Sequence, residues 1–312
     1  MTVTVRRRVG KKKPKRAINN SRLVTLMTCP QQYQYQYLLG IVPTIEQRSA
    51  LDFGSAIHAG LEWWYGNGMP EDLEDTLDAF LSELPENHDE TATETERSGY
   101  GEVMLRRYVE HWGETDRKLI GEVHVLESPL RATMPEGIPD LIGKPDMVVE
   151  RPDGWWLFDH KTMGSREHVS DYVRAQEMNF AWRIYTLAAR EQGYPVQGVM
   201  LNMLRKLVIP GIVNEEGKKR RKGNLADWMP FERERLVISD TMLEIFKKTY
   251  AQSCKVLHLY ESSGIFPQHP TGCRKFNRIC PYIGLCNGLP LDVEDWGKRE
   301  RDYVDEINEG RL

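Results

Sequence analysis

The sequence predicts an α/β fold, and three observations carry that prediction. Apolar residues at helical spacing fill much of the first third of the chain and return at 169–192. Between these stretches lie three short runs of strand character, 120–127, about 141–150 and 155–161, and another follows at 196–205. The 312 residues, 40% apolar and 28% charged, are enough to bury a large core. The middle of the chain therefore reads helix, strand, strand, strand, helix, strand.

The elements follow in order. Residues 1–18 read as a disordered basic tail, because residues 6–16 alone carry eight positive charges. Ser21 can cap a helix running to about residue 38, with Leu23, Leu26 and Met27 as its apolar positions. That helix carries Cys29-Pro30 and the series Tyr33, Tyr35 and Tyr37. Residues 52–65 form a second helix, with Phe53, Ile57, Leu61 and Trp64 on one stripe and His58 on its flank. Helices over 70–85 and 97–118 flank a polar loop at about 86–96; Val103, Leu105, Tyr108 and Trp112 make the second helix amphipathic. After the three strands, the helix over 169–192 sets Met178, Ala181, Trp182, Tyr185, Ala188 and Ala189 on one stripe. The basic run Lys218–Lys222 falls in a hairpin loop between strands 196–205 and 230–238. A helix over about 239–262, with Cys254 in its core face, leads to a cysteine-rich segment and a charged end.

A net charge of −4 hides this segregation, since 71–102 is acidic and both basic runs lie elsewhere. Such runs fit either a solvated tail and loop or attraction to a polyanion, with salt-sensitive binding through counterion release. No run of about 18 apolar residues predicts a membrane span. The amino terminus lacks the apolar stretch of a secretory signal, so the expected compartment is the cytoplasm of a bacterial or phage-infected cell. Five cysteines in that compartment argue against a disulfide framework.

The chemistry concentrates in 143–161. Asp146 sits in one apolar run, a turn follows at Pro152-Asp153-Gly154, and the next run delivers Asp159 and Lys161. Side chains alternate along a strand, so Asp159 and Lys161 share a face with Trp155 and Leu157, while Trp156, Phe158 and His160 take the other. Two neighbouring strands can thus bring two carboxylates and an ammonium together. That equipment holds Mg²⁺ or Mn²⁺ and cuts a phosphodiester. Asp146 and Asp159 offer oxygen ligands, as does the backbone carbonyl of His160. Lys161 can position water or stabilise charge on the phosphate, and burial and carboxylates push its pKa in opposite directions. Taken alone, Asp159-x-Lys161 also fits a surface ion pair on a hairpin. His58 follows small residues that permit close approach; it suits Mn²⁺, or is structural. Glu127 is a further acid or an exposed strand end, and Tyr185 either core or a partner for phosphate. Trp63, Trp64, Tyr33 and Tyr37 can stack on unpaired bases or pack the core. Cys273, Cys280 and Cys286 lie within one short segment, and Cys29 supplies a fourth thiol. Four thiolates hold a [4Fe–4S] cluster or a tetrahedral zinc, and either would staple the two ends of the chain.

These motifs together resemble the PD-(D/E)XK nuclease superfamily, and most of all its iron–sulfur branch: RecB-like and AddB-type nuclease domains and related exonucleases of CRISPR adaptation and bacteriophages. The resemblance spans roughly 20–287. It follows the order Ser21-Arg-Leu…Cys29-Pro, Phe53-Gly54-x₃-His58, Gly143-x₂-Asp146, Asp159-x-Lys161, the helix with Tyr185, and the last three cysteines. It implies a restriction-endonuclease-like core, a mixed central sheet flanked by helices with an Fe–S staple joining the terminal segments. It also implies His58, Asp146, Asp159 and the His160 carbonyl as metal ligands and Lys161 as the catalytic lysine. Cys29, Cys273, Cys280 and Cys286 would hold a [4Fe–4S] cluster. Two departures stand out. Ala181 occupies the place four residues before Tyr185 where the family often has Gln, with Gln176 nearby, and the first gap in the cysteine trio is longer than usual. One nuclease domain over 19–288 is expected, with a helical insertion at about 66–118, an Fe–S segment at 273–286 and a charged tail at 289–312. The function implied is a metal-dependent exonuclease on single-stranded DNA ends, in recombination, repair or phage DNA processing, with a helicase or recombinase as partner. The alternative is a non-catalytic DNA-binding or assembly subunit of the same fold.

Overall fold

The computed structural model describes residues 16–44, 49–93, 96–164, 168–206, 231–275, 278–290 and 295–309. The basic run Lys218–Lys222, and all of 6–16 except Arg16, lie outside these. The chain divides into two compact units where one domain over 19–288 is expected. One comprises Pro43–Ala132 and Gly143–Tyr250; the other comprises Met1–Val42, Thr133–Ile142 and Ala251–Leu312.

The first of these units is built on a mixed sheet of five strands: β1 (Glu122–Leu126), β2 (Met147–Arg151), β3 (Gly154–Met163), β4 (Gly198–Arg205) and β5 (Phe231–Val237). They lie side by side in that order. Only the β3–β4 pair is parallel. The parallel pair needs a crossover, and the helices between Val169 and Glu191 provide it.

Alternation along β3 decides what each face carries. Trp156 and Phe158 point into a core made with α1 (Ser49–Gly66), α2 (Glu74–Ser82) and α3 (Ser98–Leu119). Phe53, Trp64, Phe80, Tyr108 and Phe158 are fully buried there, each worth about 1.5–3 kcal/mol in apolar area removed from water. Gly101 lets α3 close on α2, because a side chain there would collide with the Phe80 ring. The other face of β3 presents Asp159 and Lys161. The Lys161 ammonium lies 5.6 Å from the ring of Trp182, on the helix Phe180–Glu191.

The same core buries a polar network. Arg233 on β5 donates to both oxygens of Asp116, at 2.5 and 2.7 Å, to Tyr108 Oη at 2.7 Å and to Asn202 Oδ1 at 2.9 Å. Tyr65 Oη donates to Asp116 at 2.7 Å. Leaving either charge of such a pair unmatched costs about 3–5 kcal/mol.

Several element boundaries differ from those expected. The helix predicted from Ser21 to 38 is capped instead by Asn19, whose side chain accepts from Arg22 N–H at 3.0 Å. It ends at Thr28, because Pro30 forces Cys29 into extended geometry; a short helix Pro30–Tyr33 and a π-helical turn Gln34–Leu38 follow. The strand predicted over 141–150 is two, Asp140–Gly143 and Met147–Arg151. Pro145 between them has no N–H to donate to a ladder. The helix predicted over 169–192 is likewise two, Val169–Gln176 and Phe180–Glu191, because Asn179 caps the second. Met178 therefore leaves the predicted stripe and is exposed. The polar loop at 86–96 contains one helical turn, His88–Thr91.

In the second unit, Ala17 and Ile18, at the end of the predicted basic tail, and part of the charged closing segment have regular structure. Ala17 and Ile18 form a strand parallel to Asp140 and Leu141. The helix Tyr303–Glu309 packs Val304 and Ile307 on Ala17 and Ile142. The Asn308 side chain brackets Ala17, accepting from its N–H at 2.5 Å and donating to its carbonyl at 3.2 Å. Buried Arg22 bonds Asp302 at 2.9 Å and Asp305 at 2.6 Å. The closing segment is charged, but Arg299, Asp302 and Asp305 are paired and Val304 and Ile307 are buried.

Candidate metal centre and thiol site

The strand register explains how distant acids meet. Met147 pairs with Phe158, so Asp146, one residue before β2, falls alongside Asp159 and His160. The His160 backbone N–H donates to Asp146 Oδ2 at 2.6 Å. From α1, His58 brings Nδ1 to 3.3 Å of the same oxygen. Glu127 ends β1 in the left-handed region at φ 43°. Its N–H donates to the Asp146 carbonyl at 2.9 Å, and its carboxylate reaches to 3.9 Å from His58 Nδ1. A non-glycine residue in that conformation is held there by its surroundings.

Donor atoms of His58, Glu127 and Asp146 all lie within 4.8 Å of one another, the one such group of three among the described residues. Two carboxylates and an imidazole suit a hard divalent cation of the Mg²⁺ or Mn²⁺ kind. Asp159 stands beside this trio, not within it. Its Oδ2 pairs with Lys161 Nζ at 2.5 Å. The His160 carbonyl, expected as a ligand, accepts from the Lys161 ammonium at 3.4 Å. A cleft of about 560 Å³ opens on the group, lined by Ser55, His58, Glu62, Glu127, Lys144 and Thr162 among others.

The charges are strongly coupled. Burial opposes protonation of His58, yet Asp146 and Glu127 outweigh it and raise the imidazole to about 10. Burial would likewise raise Asp146, but His58 and Lys161 hold its carboxyl well below the usual range. Asp159 goes the other way: burial, with Asp146 adding to it, lifts the carboxyl to about 7 against the pull of Lys161. For Lys161, burial pulls its pKa down, but Asp159 and Asp146 prevail and raise it. The competition that the sequence leaves unsigned is thus decided by the carboxylates.

His160 turns its ring away, into the core. It stacks on Tyr65 at 5.6 Å. Asn202 Oδ1 accepts from Arg233, so its Nδ2 is the donor toward His160 Nδ1 at 2.6 Å. That arrangement leaves the His160 proton on Nε2. Burial lowers this imidazole to about 3, so it is neutral.

Other predicted residues sort clearly. Tyr185 is half-buried, with its ring over Gly143, where any side chain would collide with it. Trp64 and Tyr33 are fully buried and cannot receive a base. Tyr37 lies between Arg22 and Arg299, at 5.1 and 5.2 Å. Trp63 is half-buried, and Cys254 is buried, as expected of a core residue. Sequence reasoning assigned no role to Glu62 or Lys144. Glu62 stands four residues after His58, a helical spacing that marks one face. The Arg233–Asp116 pair joins residues far apart in sequence and left no local signal.

In the other unit, Cys29, Cys273, Cys280 and Cys286 line one cavity of about 200 Å³, with Gln32, His269 and Tyr282. All four are free thiols. Gly272 lets its loop approach Thr28 and Cys29. Burial and the neighbouring sulfurs raise the Cys286 thiol. No three of these sulfurs lie within 4.8 Å of one another. Soft thiol donors around one cavity fit a thiophilic metal centre.

The family model of the PD-(D/E)XK nuclease superfamily matches residues 17–287, and the chain belongs to that superfamily. Among solved structures, the chain is similar to one named "Putative exonuclease" from Eubacterium rectale, at 13% identity and a TM-score of 0.49. The match covers 93% of this chain and 100% of that one. No curated protein matches. No described helix is long and apolar enough to cross a membrane.

Mn²⁺ binding should therefore strengthen with pH. His58 is protonated below about 10 and Asp159, beside the trio, below about 7; a cation among His58, Glu127 and Asp146 would displace the first proton and disfavour the second. Calorimetric titration from about pH 6 to pH 9 should show rising affinity, with proton release falling toward one per cation above neutrality. His58→Gln should flatten the alkaline part of that rise.

Proposed function

We propose that this chain is a divalent-metal-dependent deoxyribonuclease that digests single-stranded DNA from free ends. The observation that carries this reading is the convergence of His58, Glu127 and Asp146 beside the Asp159–Lys161 pair. Superfamily membership supports hydrolysis of phosphodiesters. His58, Asp146 and Glu127 would hold Mg²⁺ or Mn²⁺, with Asp159 and the His160 carbonyl completing the shell. A bound cation supplies Lewis-acid polarisation of the scissile phosphate. Lys161, kept charged by two carboxylates, faces the developing negative charge and orders the attacking water. Asp159 holds Lys161 in place. The basic runs at 6–16 and 218–222 would grip phosphates without reading sequence. A helicase or recombinase that opens duplex ends would supply the substrate.

The thiol site belongs to the same proposal. Cys29, Cys273, Cys280 and Cys286 would carry a [4Fe–4S] cluster, which allies the chain with the AddB-type branch. Zinc at about 2.3 Å from each sulfur would draw the sulfurs to ~3.8 Å apart. What supports a cluster is that all four thiols line one cavity.

End-labelled single-stranded DNA incubated with Mn²⁺ should be shortened, while a circular single strand should survive. Asp159→Ala and Lys161→Ala should each lose about 10²-fold or more in rate. Cleavage that persists in both variants rejects the site, and absence of cleavage by the wild type points to a DNA-binding subunit. Protein purified without oxygen should be brown, with broad absorption near about 400 nm, and Cys286→Ala should lose it. A colourless protein holding stoichiometric zinc contradicts the cluster.

A further inference from the structure

Lys144 is the cation of the cleft to which the proposed hydrolysis gives no role. Its Nζ lies 2.6 Å from Glu127 Oε2, and its side chain is 41% exposed. It lines the cleft with His58, Ser55 and Thr162. Lys161 pairs instead with Asp159 and lies against Trp182. The two lysines stand on different carboxylates, and Lys144 is the one paired with an acid of the His58, Glu127 and Asp146 trio.

The charge balance around Glu127 sets up an exchange. Its carboxylate faces His58 on one oxygen and Lys144 on the other. Asp146 and Glu62 also act on the Lys144 charge. With the site free of metal, Lys144 lies directly against Glu127, while His58 faces Asp146. A divalent ion among His58, Glu127 and Asp146 takes over that balance. It also repels an ammonium group held against one of its own ligands. The Lys144 stem is flexible and reaches open cleft, so the displaced ammonium can settle over bound substrate.

Resting on the metal reading of His58, Glu127 and Asp146, we propose that Lys144 is an exchangeable counter-ion. It neutralises Glu127 in the metal-free protein, and cation binding releases it to hold a phosphate oxygen of the DNA strand in the cleft. Metal and DNA then bind cooperatively, and the coupling is reciprocal. Lys144 is thus a substrate-binding residue whose availability the metal controls.

Lys144→Met and Lys144→Arg test this in the full chain. Mn²⁺ affinity without DNA is read from the electron spin resonance of free Mn²⁺. DNA affinity is read by anisotropy of a fluorescent, hydrolysis-resistant phosphorothioate oligothymidylate, over a salt series with and without Mn²⁺. Lys144→Met should bind Mn²⁺ about threefold more tightly or better, because a competing positive charge is gone. In Mn²⁺ it should bind the oligonucleotide more weakly, with a salt slope shallower by about 0.7. Without Mn²⁺ its DNA affinity should match the wild type. Lys144→Arg should retain most of the wild-type coupling. A structural lysine would not tighten metal binding while weakening DNA binding. Unchanged or weakened Mn²⁺ binding in Lys144→Met, or an unchanged salt slope in Mn²⁺, overturns the exchange. If the wild type fails to bind Mn²⁺, or binds it as well after His58→Gln, the metal reading itself falls and takes this proposal with it.

Discussion

The carboxylate of Asp146 is the joint on which the candidate metal centre depends. One oxygen accepts the His160 N–H and faces His58, while the Asp146 carbonyl accepts the Glu127 N–H. A single residue thereby ties the start of β2, the middle of β3, the end of β1 and one turn of α1. Its place follows from Pro145, which ends one strand and leaves Asp146 just ahead of the next. Charge holds the arrangement as firmly as hydrogen bonding does. A carboxylate this enclosed stays ionised only because His58 and Lys161 balance it.

The opposite face of β3 is fixed by different means. His160 lends its backbone to the metal side and its ring to the core side, where Tyr65 and Asn202 hold it. Arg233 and Asp116 then anchor Asn202 and both tyrosines. A fully paired network of this kind admits one arrangement of its members, and partial pairing would be costly in the low dielectric of the core. The strand that carries Asp159 and Lys161 is thus pinned from behind. A candidate site assembled from separate elements needs that rigidity.

Much of this was legible in the sequence, where local rules decide. Period-two alternation set Asp159 and Lys161 on one face and His160 on the other, as the structure has them. The small residues around His58 signalled close approach, and α1 does bring it to Asp146. The misses have physical causes. Apolar character ran continuously through 141–150, which hid the strand break at Pro145. Asn19 outcompeted Ser21 as a cap because its carboxamide reaches Arg22 N–H. Charge along 289–312 masked the few apolar residues, Val304 and Ile307, that seat its helix on Ala17. Glu127 could not be ranked from sequence, because only its left-handed backbone turns it toward His58. The Arg233–Asp116 pair depended on the packing of β5 against α3, which no local pattern announces.

The central claim is that a divalent cation binds among an imidazole and acids drawn from separate elements. Electron spin-echo envelope modulation of bound Mn²⁺ tests it directly, because a ligating ring nitrogen couples to the electron spin. The account predicts a ¹⁴N signal of an imidazole ligand in the wild type that disappears in His58→Gln. Mn²⁺ bound with oxygen ligands alone, or a nitrogen signal that persists in that variant, would contradict it.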